Sequence, residues 1–333
     1  MKIAVLGSGG WGTALAMLLV ENGHEVTLWS YLEKESRQLQ ETGENPLLPG
    51  VKLSQGLNYT WDLSCVRGCG VVVMATPSFG VRATAEQLKD LPSPGTILVS
   101  VSKGIEKGTS LRMTQIIRQA TEDRYPVVAL SGPSHAEEVA RRVPTAVVSA
   151  CPDRAAAEKI QDLFLNDRFR VYSSSDVVGV ELGGALKNVM ALCAGCCRGM
   201  GYGDNTNAML MTRGLAEMAR LGAALGGRKE TFAGLAGMGD LIVTCTSMNS
   251  RNYRAGILIG QGVPVQEAIA QIGAVVEGYY AVDSARELAQ QVGEEMPITE
   301  AAYEVLYRNG DPRQALQVLM RREKRHEIED TWV

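Results

Sequence analysis

Glycine-rich turns, lysines and a serine–arginine–asparagine triplet lie at intervals suited to binding phosphates and moving protons. GSGGWG at 7–12 has the Gly7-x-Gly9-x-x-Gly12 spacing. Glycines so placed permit a tight turn, close approach of the backbone to a pyrophosphate, and close packing of a helix on a strand. The helix that follows offers free N–H groups and a positive dipole end to phosphates. A glycine-rich turn in a nucleotide-free fold has the same letters. The dinucleotide reading further requires a strand before the motif and a helix after it, and both are expected here.

Two lysines stand in suggestive contexts. Lys103, in SKGIE at 102–106, lies just past the end of an expected strand, at the edge where open α/β sheets bind ligands. SGPSHA at 131–136 reaches the same edge, where Ser134 and the flanking N–H groups could bind polar ligand atoms. Lys187 follows Gly183 and Gly184 by one turn, inside an apolar stretch with helical spacing. Small residues there would let a planar ring or a substrate sit against the helix. Taken singly, a loop lysine is solvated and a lysine in an apolar helix snorkels to water. Gly237-Met238-Gly239-Asp240 leads into SMNSRN at 247–252. Ser250 there reads as an N-cap, with Arg251 and Asn252 in the first helical turn. Such an end attracts anions through its dipole, and arginine adds a fork of donors for phosphate oxygens. The plainer alternative is a capped surface helix.

These residues need elements to place them. Lys2–Leu6 (KIAVL) and Glu25–Trp29 (EVTLW) read as strands, followed by 71–75, 96–101, 127–130 and 146–149, with a further candidate at 168–172. A helix over 13–21 separates the first two and closes at Asn22-Gly23. Strands that are apolar throughout and alternate with helical segments predict a parallel sheet covered on both faces. Beyond about residue 175, Ala/Leu/Met-rich stretches such as 176–197, 207–225 and 279–292 predict helices only. The chain of 333 residues is long enough for two domains. It divides as an α/β domain over 1–180 and an all-α domain over 181–333.

Composition excludes more than it assigns. A net charge of −4 gives no general attraction to nucleic acid or anionic membrane. No run of 18 uninterrupted apolar residues and no signal-peptide pattern is present, so a soluble, cytoplasmic protein is expected, with no membrane insertion. Seven cysteines, an odd number, fit reduced thiols. Cys193-x-x-Cys196-Cys197 has neither a second cysteine pair nor a nearby histidine, so core packing is expected and no metal. Glycine is in excess, 36 of 333, where about 7% is usual. Tight turns and close backbone approaches account for such an excess.

The type of dinucleotide turns on the end of the second strand. An NAD site usually has a carboxylate there for the ribose hydroxyls. This chain has Ser30-Tyr31, with Glu33 slightly late and Lys34 and Arg37 nearby. NADP or NAD is therefore expected, with NADPH favoured.

Together the motifs resemble those of the bacterial-type NAD(P)-dependent sn-glycerol-3-phosphate dehydrogenase family. They are GSGGWGTALA at 7–16, SKGIE at 102–106, SGPSHAEEVA at 131–140, LKNV at 186–189, GYGDNTNAMLMTRGLAEMARLG at 201–222, LAGMGDLIVTCTS at 235–247, SRN at 250–252 and VVEG at 275–278. The resemblance implies a Rossmann-type N-terminal domain, a 6-phosphogluconate-dehydrogenase-like helical domain and a homodimer. It implies reversible reduction of dihydroxyacetone phosphate to sn-glycerol 3-phosphate for glycerophospholipid synthesis. Carried over, it puts cofactor contacts at Gly10, Trp11, Lys103, Ala136, Arg251, Val275 and Glu277. It puts substrate contacts at Lys103, Gly132, Ser134, Lys187, Asp240, Ser250, Arg251 and Asn252, with Lys187 transferring the proton. Gly10 stands where many members have serine, and Tyr31-Leu32 where members often carry histidine or arginine.

The expected mechanism is hydride transfer to a ketone carbon, with Lys187 supplying the proton. A free lysine titrates near 10.4, so burial and a neighbouring ammonium, for which Lys103 is the candidate, must lower that value. Asp240 would hold Lys187 or a substrate hydroxyl, and closure of the two domains would exclude water. Competing readings are another two-domain β-hydroxyacid dehydrogenase, a ketopantoate-type reductase, or a silent dinucleotide sensor.

Overall fold

A computed structural model describes residues 1–324, 326 and 327. Arg325 and residues 328–333, within the second expected domain, lie outside the described residues.

The first half builds one sheet from β1 (Lys2–Leu6), β2 (Glu25–Trp29), β3 (Leu57–Thr60), β4 (Val71–Met74), β5 (Ile97–Ser100), β6 (Val127–Ser131), β7 (Thr145–Ala150) and β8 (Phe169–Ser174). The strand order is β3-β2-β1-β4-β5-β6-β7-β8. Between β1 and β4 the order reverses, which opens a crevice outside their carboxyl ends. In register, Val5 lies beside Leu28 on one side and Val73 on the other. Ile3 and Val5 pack into one face's core while Ala4 and Leu6 pack into the other's. That two-sided burial is why these strands read as unbroken apolar runs.

Helices α1 (Gly10–Glu21), α2 (Glu33–Thr42), α3 (Val81–Leu88), α4 (Met113–Ala120), α5 (Ala136–Ala140) and α6 (Arg154–Phe164) follow β1, β2, β4, β5, β6 and β7 in turn. Every expected strand is present, with ends displaced by no more than two residues. Two features differ from expectation. β3 (LNYT) is an addition to the expected set, because an edge strand of four residues with only Leu57 buried has no apolar run to announce it. The sheet is also not parallel throughout, since β7 runs antiparallel to β6. Only the five-residue α5 lies in that connection, too little for a full helical crossover, so the chain returns in the opposite sense.

The second half is helical: α7 (Val177–Gly199), α8 (Asp204–Ala224), α9 (Lys229–Phe232), α10 (Asp240–Thr246), α11 (Arg251–Gly260), α12 (Val265–Ile272), α13 (Glu277–Val292), α14 (Pro297–Arg308) and α15 (Pro312–Met320). Asp176 caps α7 by accepting from the Gly179 N–H at 2.9 Å. By length and apolarity α7 could cross a bilayer, but 89% of its most apolar window is buried inside the protein, where it serves as the central core helix. Cys193, Cys196 and Cys197 lie on this helix, and burial pushes their thiols up, that of Cys196 to about 12. A β-carbon on Gly195 would strike the Tyr253 carbonyl, and one on Gly256 the Leu192 carbonyl. Glycine at both positions lets α11 cross α7 at backbone contact. That crossing carries the start of α11 toward Lys187.

Candidate active site

The fingerprint residues form a cradle at the end of β1. Gly9 is the N-cap of α1, which begins at Gly10, three residues earlier than periodicity suggests. The first helical bond runs from the Thr13 N–H to the Gly9 carbonyl at 3.0 Å, so the N–H groups of Gly10, Trp11 and Gly12 precede the helical ladder. Gly7 has φ +121°, and a β-carbon there would lie 2.6 Å from the Ala75 carbonyl oxygen. One on Gly12 would strike the Gly7 carbonyl, whereas Gly9 faces open space. Turn, packing and open approach fall on the glycines that a dinucleotide pyrophosphate requires, so the residues fit that group. Trp11 packs against the sheet core, and a β-carbon on Gly10 would lie 3.6 Å from Ala136 Cβ.

The two lysines meet at one carboxylate. Lys103 leaves the carboxyl end of β5, and its Nζ donates to Asp240 Oδ2 at 2.6 Å and to the Gly132 carbonyl at 2.9 Å. Lys187, on α7, donates to the other oxygen of Asp240 and to Thr244 Oγ1, the latter at 2.8 Å. Asp240 is only 1% exposed and Lys187 6%. Burial, aided by the neighbouring Lys103 charge and opposed by Asp240, brings the Lys187 ammonium from 10.5 down to about 7. Snorkelling is thus excluded for Lys187, because the amine ends on a buried acid rather than in water.

Ser134 donates its hydroxyl to the same Gly132 carbonyl at 2.9 Å. Gly132 itself packs tightly: a β-carbon there would lie 2.9 Å from Val147 Cα. His135 Nε2 lies 3.3 Å from the Val243 carbonyl, which ties this loop to α10. Burial lowers the His135 pKa, and the nearby Lys187 charge lowers it further.

Ser250 is the N-cap of α11, accepting from the Tyr253 N–H at 3.2 Å. Arg251 is exposed in the first turn. Asn252 points inward: its amide donates to Asn188 Oδ1 at 2.9 Å, and its oxygen accepts from the Gly278 N–H at 2.8 Å. Through these bonds α7, α11 and the start of α13 hold one another. Glu277, in the first turn of α13, reaches across to the sheet half and accepts from Ser78 Oγ at 2.7 Å. Burial raises the Glu277 pKa, against the lowering effects of Ser78 and Arg251. Val275 is half-buried just before α13.

The structure therefore gathers Lys103, Lys187, Asp240, Gly132 and Ser134 in one cluster, and Asn252 with Gly278 beside it. Trp11 and Val275 stand apart from the bonds that build the lysine cluster. Gly183 and Gly184 are not the open platform that their size suggests. A β-carbon on Gly183 would strike the Ala236 carbonyl, and one on Gly184 would lie 2.7 Å from Ser131 Oγ and 3.4 Å from Lys103 Cγ. Both serve close packing around the site. Thr244, Asn188 and Ser78 join the site without having been expected there. Thr244 alone has a usable signal, standing four residues after Asp240 on one helical face.

Sequence comparison assigns this arrangement to a family. Residues 2–157 match the N-terminus, and residues 176–317 the C-terminus, of NAD-dependent glycerol-3-phosphate dehydrogenase. The chain is 53% identical over 330 residues to glycerol-3-phosphate dehydrogenase [NAD(P)+] of Moorella thermoacetica, covering 98% of each chain. It is 49% identical to the enzyme of the same name from Desulfitobacterium hafniense, over 99% of this chain and 94% of that one. The crystal structure of glycerol-3-phosphate dehydrogenase from Coxiella burnetii superposes with a TM-score of 0.92 at 39% identity, covering 96% of this chain and 99% of that chain. The nucleotide cradle, the paired lysines and both matched halves occur in one continuous sequence, and the chain belongs to the NAD-dependent glycerol-3-phosphate dehydrogenase family.

Proposed function

We propose that the protein catalyses reversible NAD(P)H-dependent reduction of dihydroxyacetone phosphate to sn-glycerol 3-phosphate. The observation that carries this reading is the buried Asp240 carboxylate shared by Lys103 and Lys187 beside a dinucleotide cradle. A nicotinamide cofactor held at the glycine cradle would supply the hydride that the ketone carbon accepts. Lys187 supplies the balancing proton to the carbonyl oxygen, which becomes the hydroxyl of the product. With its ammonium lowered to about 7, Lys187 can give a proton in reduction and take one in oxidation at neutral pH. Lys103 orients the substrate and stabilises charge developing on oxygen. Asp240 holds both amines in place. The Ser250–Arg251–Asn252 turn, with its dipole and guanidinium, takes a phosphate of the substrate or cofactor.

The main-chain N–H groups at Gly7, Gly9, Gly10, Trp11 and Gly12 would hold the pyrophosphate, and Ala136, Val275 and Glu277 would border the cofactor. NADPH is proposed as the preferred form, because Ser30 and Tyr31 rather than a carboxylate follow β2. A division at 180/181, a cytoplasmic homodimer and a supply role in glycerophospholipid synthesis complete the proposal. Spectrophotometric assay of dihydroxyacetone phosphate reduction, run in parallel with NADPH and NADH, tests it. Folded protein that oxidises neither cofactor overturns it.

A further inference from the structure

Building on the role proposed for Lys103, we infer that Ile105 and Glu181 are positioning residues that fix Lys103 to the helical half. Lys103, Asp240 and Lys187 then form one rigid unit, assembled before any ligand arrives. The loop after β5 belongs to the sheet half by sequence, yet several of its side-chain contacts cross to the other half. Ile105 is 7% exposed, and its side chain sits in the core of the helical half. Three side-chain links to α13 follow it along the loop: Ser284 Oγ donates to the Ile105 carbonyl at 3.5 Å, Lys107 pairs with Asp283 at 3.1 Å, and Gln291 Nε2 donates to Ser110 Oγ at 3.3 Å.

The far end of the loop is pinned to α7. Glu181 is buried, accepts from the Thr114 N–H at 2.7 Å and the Thr114 hydroxyl at 2.6 Å, and pairs with the Arg112 guanidinium. One turn on from Glu181, Gly184 lies against the stem of Lys103. On its own side the loop is held by Ser102 Oγ donating to the Thr76 carbonyl at 2.5 Å and by Arg82 on Glu106 at 2.7 Å. Segments that hinge have few buried apolar contacts and exposed backbone bonds. This loop has a buried isoleucine and an ion pair to a buried glutamate instead. Any closure of the two halves must therefore occur elsewhere along the crevice, leaving the Lys103–Asp240 distance unchanged.

A double-mutant cycle tests the inference. Ile105→Ala and Glu181→Gln are each made in the wild-type and in the Lys103→Ala background. kcat is measured, together with NADPH affinity by calorimetry and unfolding midpoint. Each single change is expected to lower kcat roughly tenfold with NADPH affinity within about twofold, and to add less than about twofold once Lys103 is gone. Losses that multiply fully with that of Lys103→Ala overturn the inference, since they would arise without Lys103. Ile105→Val, which keeps most of the buried volume, is expected to restore kcat; its failure to do so counts equally against the inference. Should Ile105→Ala not fold, Glu181→Gln completes the cycle. Wild-type turnover in Lys103→Ala alone would instead overturn the role given to Lys103 itself.

Discussion

Asp240 Oδ2 lies 2.6 Å from Lys103 Nζ, so an acid of the helical half neutralises an amine of the sheet half. The same carboxylate also holds Lys187. Asp240→Asn removes the charge but keeps the shape, and leaves Lys103 and Lys187 without their shared acid. Breaking a buried pair from one side costs about 3–5 kcal/mol. Asp240→Asn is expected to lower the unfolding free energy by that order and turnover by about 100-fold or more. Denaturant unfolding and steady-state kinetics check the two effects separately.

The pH dependence follows from Lys187. Its ammonium is lowered to about 7 mainly by burial. Reduction needs the protonated amine, so its rate should fall as pH rises through about 7. Oxidation needs the free amine and should rise over the same interval. Lys187→Ala should abolish turnover in both directions while NADPH affinity stays nearly intact. Parallel pH profiles of forward and reverse kcat decide this; profiles that rise together would exclude Lys187 as the titrating group.

Cofactor choice should respond to the end of β2. Arg37 donates through Nε and Nη2 to the same Glu33 oxygen, at 2.9 and 2.7 Å, and its guanidinium lies 5.1 Å from the Trp61 ring centre. An exposed pair of this kind is worth little and opens readily, whereas an arginine on a phosphate makes strong charge-assisted bonds. Glu33→Gln is expected to shift the NADPH-to-NADH affinity ratio upward several-fold, and Arg37→Gln to shift it downward. Titration calorimetry with both cofactors measures the ratio, and an unchanged ratio in both variants would remove the pair from cofactor selection.

Glu217 predicts a stability effect far from the chemistry. Its Oε1 accepts from the Ile298 N–H at 2.7 Å, while Oε2 is buried without a hydrogen-bond partner among the described residues. Burial raises its carboxyl from 4.5 to about 7. A raised folded-state pKa means that stability is greatest below the unfolded value and is lost as pH rises toward 7. Glu217→Gln should therefore raise the unfolding midpoint by a few degrees at pH 8 and by little or nothing at pH 5. Thermal melts at the two pH values provide the comparison.

Most elements, and the chemistry open to them, are legible in the chain alone. Apolar runs fixed the inner strands, because burial on both faces leaves no position for a polar residue. Gly7, Gly9 and Gly12 were legible because a turn, an open approach and a close helix contact each exclude a side chain for a local reason. The role of Lys187, by contrast, is set by contacts distant in the chain. Its neighbours in the chain are apolar and would suit a snorkelling lysine equally well, whereas Asp240 is 53 residues away and Lys103 lies on a different strand end. The direction of β7, the seating of Ile105 in the opposite half and the filling of Gly183 and Gly184 were settled in the same way. Periodicity records which face of an element is buried, but not which partner buries it, and at this site the partner sets the charge, the pKa and the chemistry.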